Sequence, residues 1–172
     1  PSNQPVVGTG VTASPNAIEV ASGASLQITG SGSLTLAGAS SINNLTVGGA
    51  TAALTANGAL DLNTVSFTQG TIGGAGAVTL NGTMTAGTAS TKTLGANLGI
   101  SSTGVLSWTA GDLNAGTKTI TNDGSLAATS TGTLTAGGIT NNGTLAKSSA
   151  GTTTVASDLD NATTGSMNLS GG

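Results

Sequence analysis

The chain has 172 residues, room for one ordinary domain. It carries three Lys, six Asp or Glu and no His, Cys or Arg, so charged residues make up 5%, where about a quarter is usual. That composition excludes an imidazole base, a thiolate, a soft-metal site and a guanidinium clamp; it argues against an enzyme, and it leaves too little positive charge to hold nucleic acid.

Gly, Ser, Thr, Ala and Asn fill most of the chain, a composition that often prevents folding because little apolar surface offsets the ordering entropy. Hydrophobic residues nevertheless reach 36%, and the net charge of -3 is small. The apolar residues are also regularly spaced, so the chain is expected to fold. No apolar run approaches the ~20 residues of a membrane span. The opening on Pro1 without a Met, and with no leader, predicts a processed or excised piece. Absence of Cys neither requires nor forbids export.

Residues 1–17 hold all three prolines (Pro1, Pro5 and Pro15) and no repeat signature. They are expected to form an N-terminal extension: a linker, a cap, or an arm that pairs with a neighbouring subunit through Pro5, Val6 and Val7. From residue 18 onward a Gly-x-apolar unit recurs at Gly32, Gly58, Gly82, Gly104, Gly124, Gly143 and Gly165. The intervals shorten steadily from the Gly32–Gly58 step to the Gly124–Gly143 step and lengthen again at the last. The later copies match best. Ile120-Thr121-Asn122-Asp123-Gly124-Ser125-Leu126 returns as Ile139-Thr140-Asn141-Asn142-Gly143-Thr144-Leu145, and more loosely around Leu159-Asp160-Asn161. Such self-similarity predicts a repeat fold over 18–172.

Within each copy the period is two. Leu34-Thr35-Leu36, Leu45-Thr46-Val47, Leu60-Asp61-Leu62, Val65-Ser66-Phe67, Val78-Thr79-Leu80 and Leu106-Ser107-Trp108 all alternate, which turns one set of side chains inward and the hydroxyl residues outward. Breakers such as Gly48-Gly49, Gly73-Gly74 and Asn142-Gly143 leave no room for a helix. The chain therefore reads as all-β. A sandwich needs bulky side chains to fill a layer about 10 Å thick, and this chain offers only Phe67 and Trp108 as aromatics. A parallel β-helix, or β-solenoid, needs few aliphatic residues per rung. About seven rungs of 19–26 residues would make a rod on the order of 30–35 Å long. Asn122, Asn141 and Asn161 then form a turn column whose amides ladder between rungs, with Leu106 and Trp108 in the core.

The segments Phe67-Thr68-Gln69-Gly70-Thr71-Ile72, Leu106–Leu113 and Ile139–Leu145 resemble the β-strand-repeat proteins of bacterial surfaces, and through them the passenger domains of autotransporter and filamentous-haemagglutinin-type adhesins. The resemblance covers about residues 18–172 and lies in composition and rhythm. It implies a right-handed parallel β-helix, exported and displayed at the cell surface, and it names no ligand.

Candidate sites are few. Glu19, Asp61, Asp112, Asp123, Asp158 and Asp160 are expected on different faces, apart from Asp158 and Asp160 near the Asp123 turn, where a weak Ca²⁺ site competes with plain solvated acids. Lys92, Lys118 and Lys147 are expected on outward strand positions, discouraging edge association. The Thr-x-Thr pairs at 91/93, 133/135 and 152/154 share one offset from the preceding Gly, whereas the pair at 117/119 falls later in its copy. That broken column makes ice binding the weakest reading. Five Asn-x-Ser/Thr sequons follow from composition, and no glycosylation is predicted. The final residues, with Leu169, stop in mid-rung, so the chain is expected either to be cut from a longer rod or to stack its end on another chain, with Leu169 as a candidate inter-subunit contact. The function expected is a non-enzymatic extracellular rod, without cofactor or metal, that polymerises through its ends; the alternative is an adhesin stalk that contacts cell-surface or glycan partners.

Overall fold

The computed structural model describes residues 4–170. These residues contain only strands and turns, and every pairing between strands is parallel, with partners about 20 residues apart. The chain winds as a β-solenoid of eight coils, each made of three short strands on three faces. The first coil is Val6–Val7, Thr12–Ala13 and Glu19–Val20; the last is Thr144–Lys147, Thr154–Ala156 and Leu159–Asn161. One more first-face strand, Ser166–Leu169, follows it and pairs with Thr144–Lys147. Two long strands, Ser40–Gly48 and Leu60–Phe67, run from the third face of one coil into the first face of the next without a corner.

There are eight coils where the glycine signature counts seven, and the signature does not mark equivalent positions. Gly32 leads into the second-face strand Ser33–Leu36 and Gly58 into a third-face strand, whereas Gly82, Gly104, Gly124, Gly143 and Gly165 lead into the first face. The two longest intervals, from Gly32 to Gly58 and from Gly58 to Gly82, therefore include a change of face. True coil lengths vary less. The step that sets Leu54 opposite Ile72 is among the shortest, and the step that sets Ala86 opposite Trp108 is among the longest. The first-face corners need Gly because successive backbones nearly touch. A Cβ on Gly143 would lie 2.2 Å from Gly124 O, and one on Gly165 would lie 2.1 Å from Asn141 O.

Alternation places every second residue inside, so the core is a set of vertical columns. On the first face one column reads Leu26, Leu45, Val65, Met84, Leu106, Leu126, Leu145 and Met167. Its neighbour reads Val7, Ile28, Val47, Phe67, Ala86, Trp108, Ala128, Lys147 and Leu169. In that column Ala86 separates the two aromatics and Ala128 follows the second, so the indole spreads over the space that the Ala on either side leaves free. Trp108 and Phe67 are both fully buried. The indole Nε1 of Trp108 donates to Gly111 O at 2.7 Å, which satisfies its one polar group.

The N-terminal stretch contributes strands. Val6 and Val7 stand opposite Gln27 and Ile28, and Thr12 and Ala13 stand opposite Ser33 and Leu34. Pro5 O accepts from Gln27 N at 3.0 Å. Val7 is buried in the core, while Val6 points outward and is 54% exposed. Residues 1–3 of the extension, and Gly171 and Gly172 at the other end, lie outside the described residues.

Trp108→Ala would leave a ring-sized void between Ala86 and Ala128, neither of which can fill it. The expected loss is about 3–5 kcal/mol, read as a lowered urea midpoint, while Leu106→Met beside it should change the midpoint little.

Candidate functional site

Outward side chains on the three faces are small hydroxyls and amides, and the few charges are dispersed. Glu19, Ser41 and Asp61 stack on the third face in successive coils, followed in the same column by Thr79, Gly99, Thr121, Thr140 and Asp160. Asp158 precedes the last third-face strand, Asp112 precedes a second-face strand, and Asp123 sits in the corner after the third face. Four of the six carboxylates thus share the third face, more than the sequence register predicts. Asp123 stands apart from Asp158 and Asp160, in the sixth coil against the eighth, and its carboxylate accepts from Asn142 Nδ2 at 2.7 Å. Among the described residues no group of three or more carboxylates could hold a metal ion.

The Thr pairs are spread over the faces. Thr93 and Thr135 share a second-face column, but Asn114 stands between them and Ala156 follows. Thr154 lies opposite Thr133, so the 152/154 pair is displaced by one Thr-x step from the offset expected for it. Thr83 and Thr85 lie on the first face.

The interior is where polar chemistry gathers. On the third face the inward column begins with Val20, Ile42, Leu62, Leu80 and Ile100, then changes to Asn122, Asn141 and Asn161. Asn122 and Asn141 are buried core residues at the ends of strands. Their amides form a ladder: Asn122 Nδ2 donates to Asn141 Oδ1 at 2.7 Å, and Asn141 Nδ2 donates to Asn161 Oδ1 at 2.6 Å. Each also donates to the first-face strand two coils further along the chain, Asn122 to Thr144 O at 2.9 Å and Asn141 to Ser166 O at 3.0 Å. The amides therefore stitch the corner on which the chain passes from the third face to the first. At the lower end, Asn122 Oδ1 faces the aliphatic Ile100 position and has no partner.

Two lysines expected outside are turned inward. Lys92 stands in register between Gly70 and Leu113 on the second face and is fully buried. Gly70 is required by its own backbone, with φ +101 and a Cβ position 2.5 Å from Ala52 O. The Lys92 ammonium has three protons and four carbonyls around it: Thr88, Ser90 and Ala110 O accept at 2.6–2.8 Å, and Gly87 O lies farther, at 3.3 Å. Burial pushes the Lys92 pKa below the ordinary lysine value, and the Asp112 carboxylate acts in the opposite sense. Lys147 occupies the first-face column above Ala128, half-buried, and its ammonium donates to Ser149 O and, at 2.9 Å, to Ser149 Oγ. Lys118 is half-buried just before the strand Thr119–Asn122. The signal was in the alternation: Lys92-Thr93-Leu94 places Lys92 on the same side as Leu94. The general preference of lysine for the surface hides it.

The ends differ from the middle. Within the last coils an apolar cavity of about 540 Å³ opens, lined among others by Leu169, Met167, Val155, Leu145 and Trp108. Leu169 is 69% exposed, and Met167 and Val155 are also exposed. At the opposite end Val6 and Val11 are exposed, and Ala13, Ile18 and Val20 are only partly covered. No protein-family model, curated protein or solved structure matches this chain.

Asn141→Leu keeps the branching and the number of side-chain heavy atoms but strands Asn161 Oδ1 and Ser166 O and takes away one acceptor of Asn122. Asn122→Leu also removes the orphaned Oδ1 and continues the aliphatic column from Ile100. Both should lower the urea midpoint, with about 1–3 kcal/mol lost for Asn141→Leu and a smaller loss for Asn122→Leu.

Proposed function

We propose that the chain is a non-enzymatic structural rod, displayed outside a bacterial cell, that associates head-to-tail into a filament or matrix fibre. The observation that carries this reading is the complementarity of the two ends. Among the described residues, the last coil offers unpaired strand edges beside an apolar cavity, and the first coil offers edges around partly covered apolar residues. Open edges of this kind pair with another chain unless something blocks them. A net charge of -3 gives little repulsion, and a heterologous contact that does not close generates a fibre.

The ends engage in one arrangement. At the top of the rod the first face is one strand ahead, because Ser166–Leu169 stands above the eighth coil. A second copy can set Thr12–Ala13 on Thr154–Ala156 and Glu19–Val20 on Leu159–Asn161, with all three ladders continuous, once its own Val6–Val7 moves aside. Ser166–Leu169 then pairs with Leu26–Thr29 of the second copy, and the exposed Leu169 takes the core position that Val7 occupies in the free chain. Pro5, Val6 and Val7 become the displaced arm. This exchange follows the logic of strand addition to a sheet edge. The cell-surface location rests on the resemblance in rhythm to surface β-strand-repeat proteins. The stalk of a larger adhesin, contacting cell-surface or glycan partners, is the second reading; the solenoid architecture and the lack of charge suit it equally.

Negative-stain electron microscopy over a concentration series tests the proposal. Filaments of uniform width are expected. Removing residues 1–8 vacates the core position and should bring filaments on at lower concentration, and Leu169→Asp, which sends a carboxylate into that apolar position, should abolish them. Single short particles at every concentration, from the full chain and the shortened one alike, would leave the stalk reading.

A further inference from the structure

The corner Gly87–Thr91, between the first and second faces of the fifth coil, is built around a single point. Four carbonyl oxygens converge on it: Gly87 O at 3.3 Å, Thr88 O at 2.8 Å, Ser90 O at 2.7 Å and Ala110 O at 2.6 Å from Lys92 Nζ. No other hydrogen bond among the described residues reaches these four oxygens. Thr88, with φ 78, is the one non-glycine residue with positive φ among the described residues. Such a conformation is held only where the surroundings require it, and here it belongs to a residue whose carbonyl faces the ammonium.

The donor set selects the ligand. It is made of neutral carbonyl oxygens, and the nearby Asp112 carboxylate is turned to Thr133 N, which donates to its Oδ1 at 2.8 Å. Calcium holds its oxygens at about 2.3–2.6 Å and prefers carboxylates, so this nest is too wide and too weakly charged for it. Rings of backbone carbonyls instead replace the hydration shell of potassium, and an ammonium is a cation of similar charge that also donates hydrogen bonds. We propose that this corner is a monovalent-cation site, of the class that takes potassium or a primary ammonium, and that the chain fills it with its own Lys92. The lysine acts as a tethered cation: its backbone stands in register with Gly70, and its head ties the fifth-coil corner to Ala110 of the sixth. The inference is independent of assembly, because the site lies in mid-rod.

The test empties the site and offers it free cations. Lys92→Ala retains Cβ and lacks the three further carbons and the nitrogen, which n-propylammonium supplies. Its thermal midpoint should fall by several degrees and recover saturably with n-propylammonium, and in part with potassium. Tetramethylammonium, which cannot donate, and neutral n-propanol, which fills the stem space without the charge, should not restore it. Lys92→Met, whose side chain occupies the stem space, should lose stability and not respond to n-propylammonium. Equal recovery by n-propanol, or no recovery by either cation in a folded Lys92→Ala, would overturn the proposal. If Lys92→Ala does not fold, the wild-type chain decides: an ammonium ¹⁵N–¹H correlation protected from solvent exchange supports a caged cation, and a freely exchanging one overturns it.

Discussion

Everything in this rod follows from one requirement: an inward side chain must suit the residues one coil below and one coil above it, about 4.8 Å away. Neighbours in a column are not chosen freely, because parallel in-register pairing brings like positions together along the whole axis. A chain can therefore build a dry interior from Leu, Ile, Val and Ala with only two aromatic rings. Where the largest ring is used, an Ala stands on each side of it, as around Trp108. The same stacking removes the need for surface charge. Backbone hydrogen bonds between coils hold the outer faces, and Ser, Thr and Asn complete them.

Polar residues enter this interior on two terms. The asparagines satisfy one another, each amide giving one proton to the next coil's amide and another to a backbone carbonyl. Lys92 has no like neighbour and is satisfied by backbone alone, at an irregular corner. The first device propagates along the axis and belongs to several coils; the second joins two. Both place a buried polar group where the regular ladder is interrupted and backbone carbonyls would otherwise lack donors.

The strand period and the approximate coil length are legible in the sequence because alternation and repetition are properties of the chain alone. Coil number is harder to read. A glycine is required wherever two corners approach closely, and different coils make that approach at different corners, so Gly32, Gly58 and Gly82 introduce three different faces. The first coil carries no glycine marker and reads as an extension. The asparagine ladder is visible as a repeated residue, but its place inside the rod depends on Asn122 sharing the inward side of its strand with Ile120, and turn chemistry is the commoner use of that residue. Lys92 is hidden by the same preference for the ordinary, since its four partners come from a corner whose shape no local pattern discloses. The open ends belong to tertiary structure entirely: Val7 and Leu169 stand near opposite ends of the sequence, and their equivalence exists only once the coils are stacked.

The change from Ile100 to Asn122 within one inward column divides the solenoid into two lengths with different freedom. Along the aliphatic part of this one column, a residue paired one level too high or too low would meet nearly the same neighbours, and the column itself would do little to distinguish the error. In the amide length each Asn must find an Asn, and the boundary occurs once. A buried polar residue at a single position fixes registry in other repetitive assemblies. Here the boundary is an index mark within one column of the screw, at which a turn can be told from the turn below it.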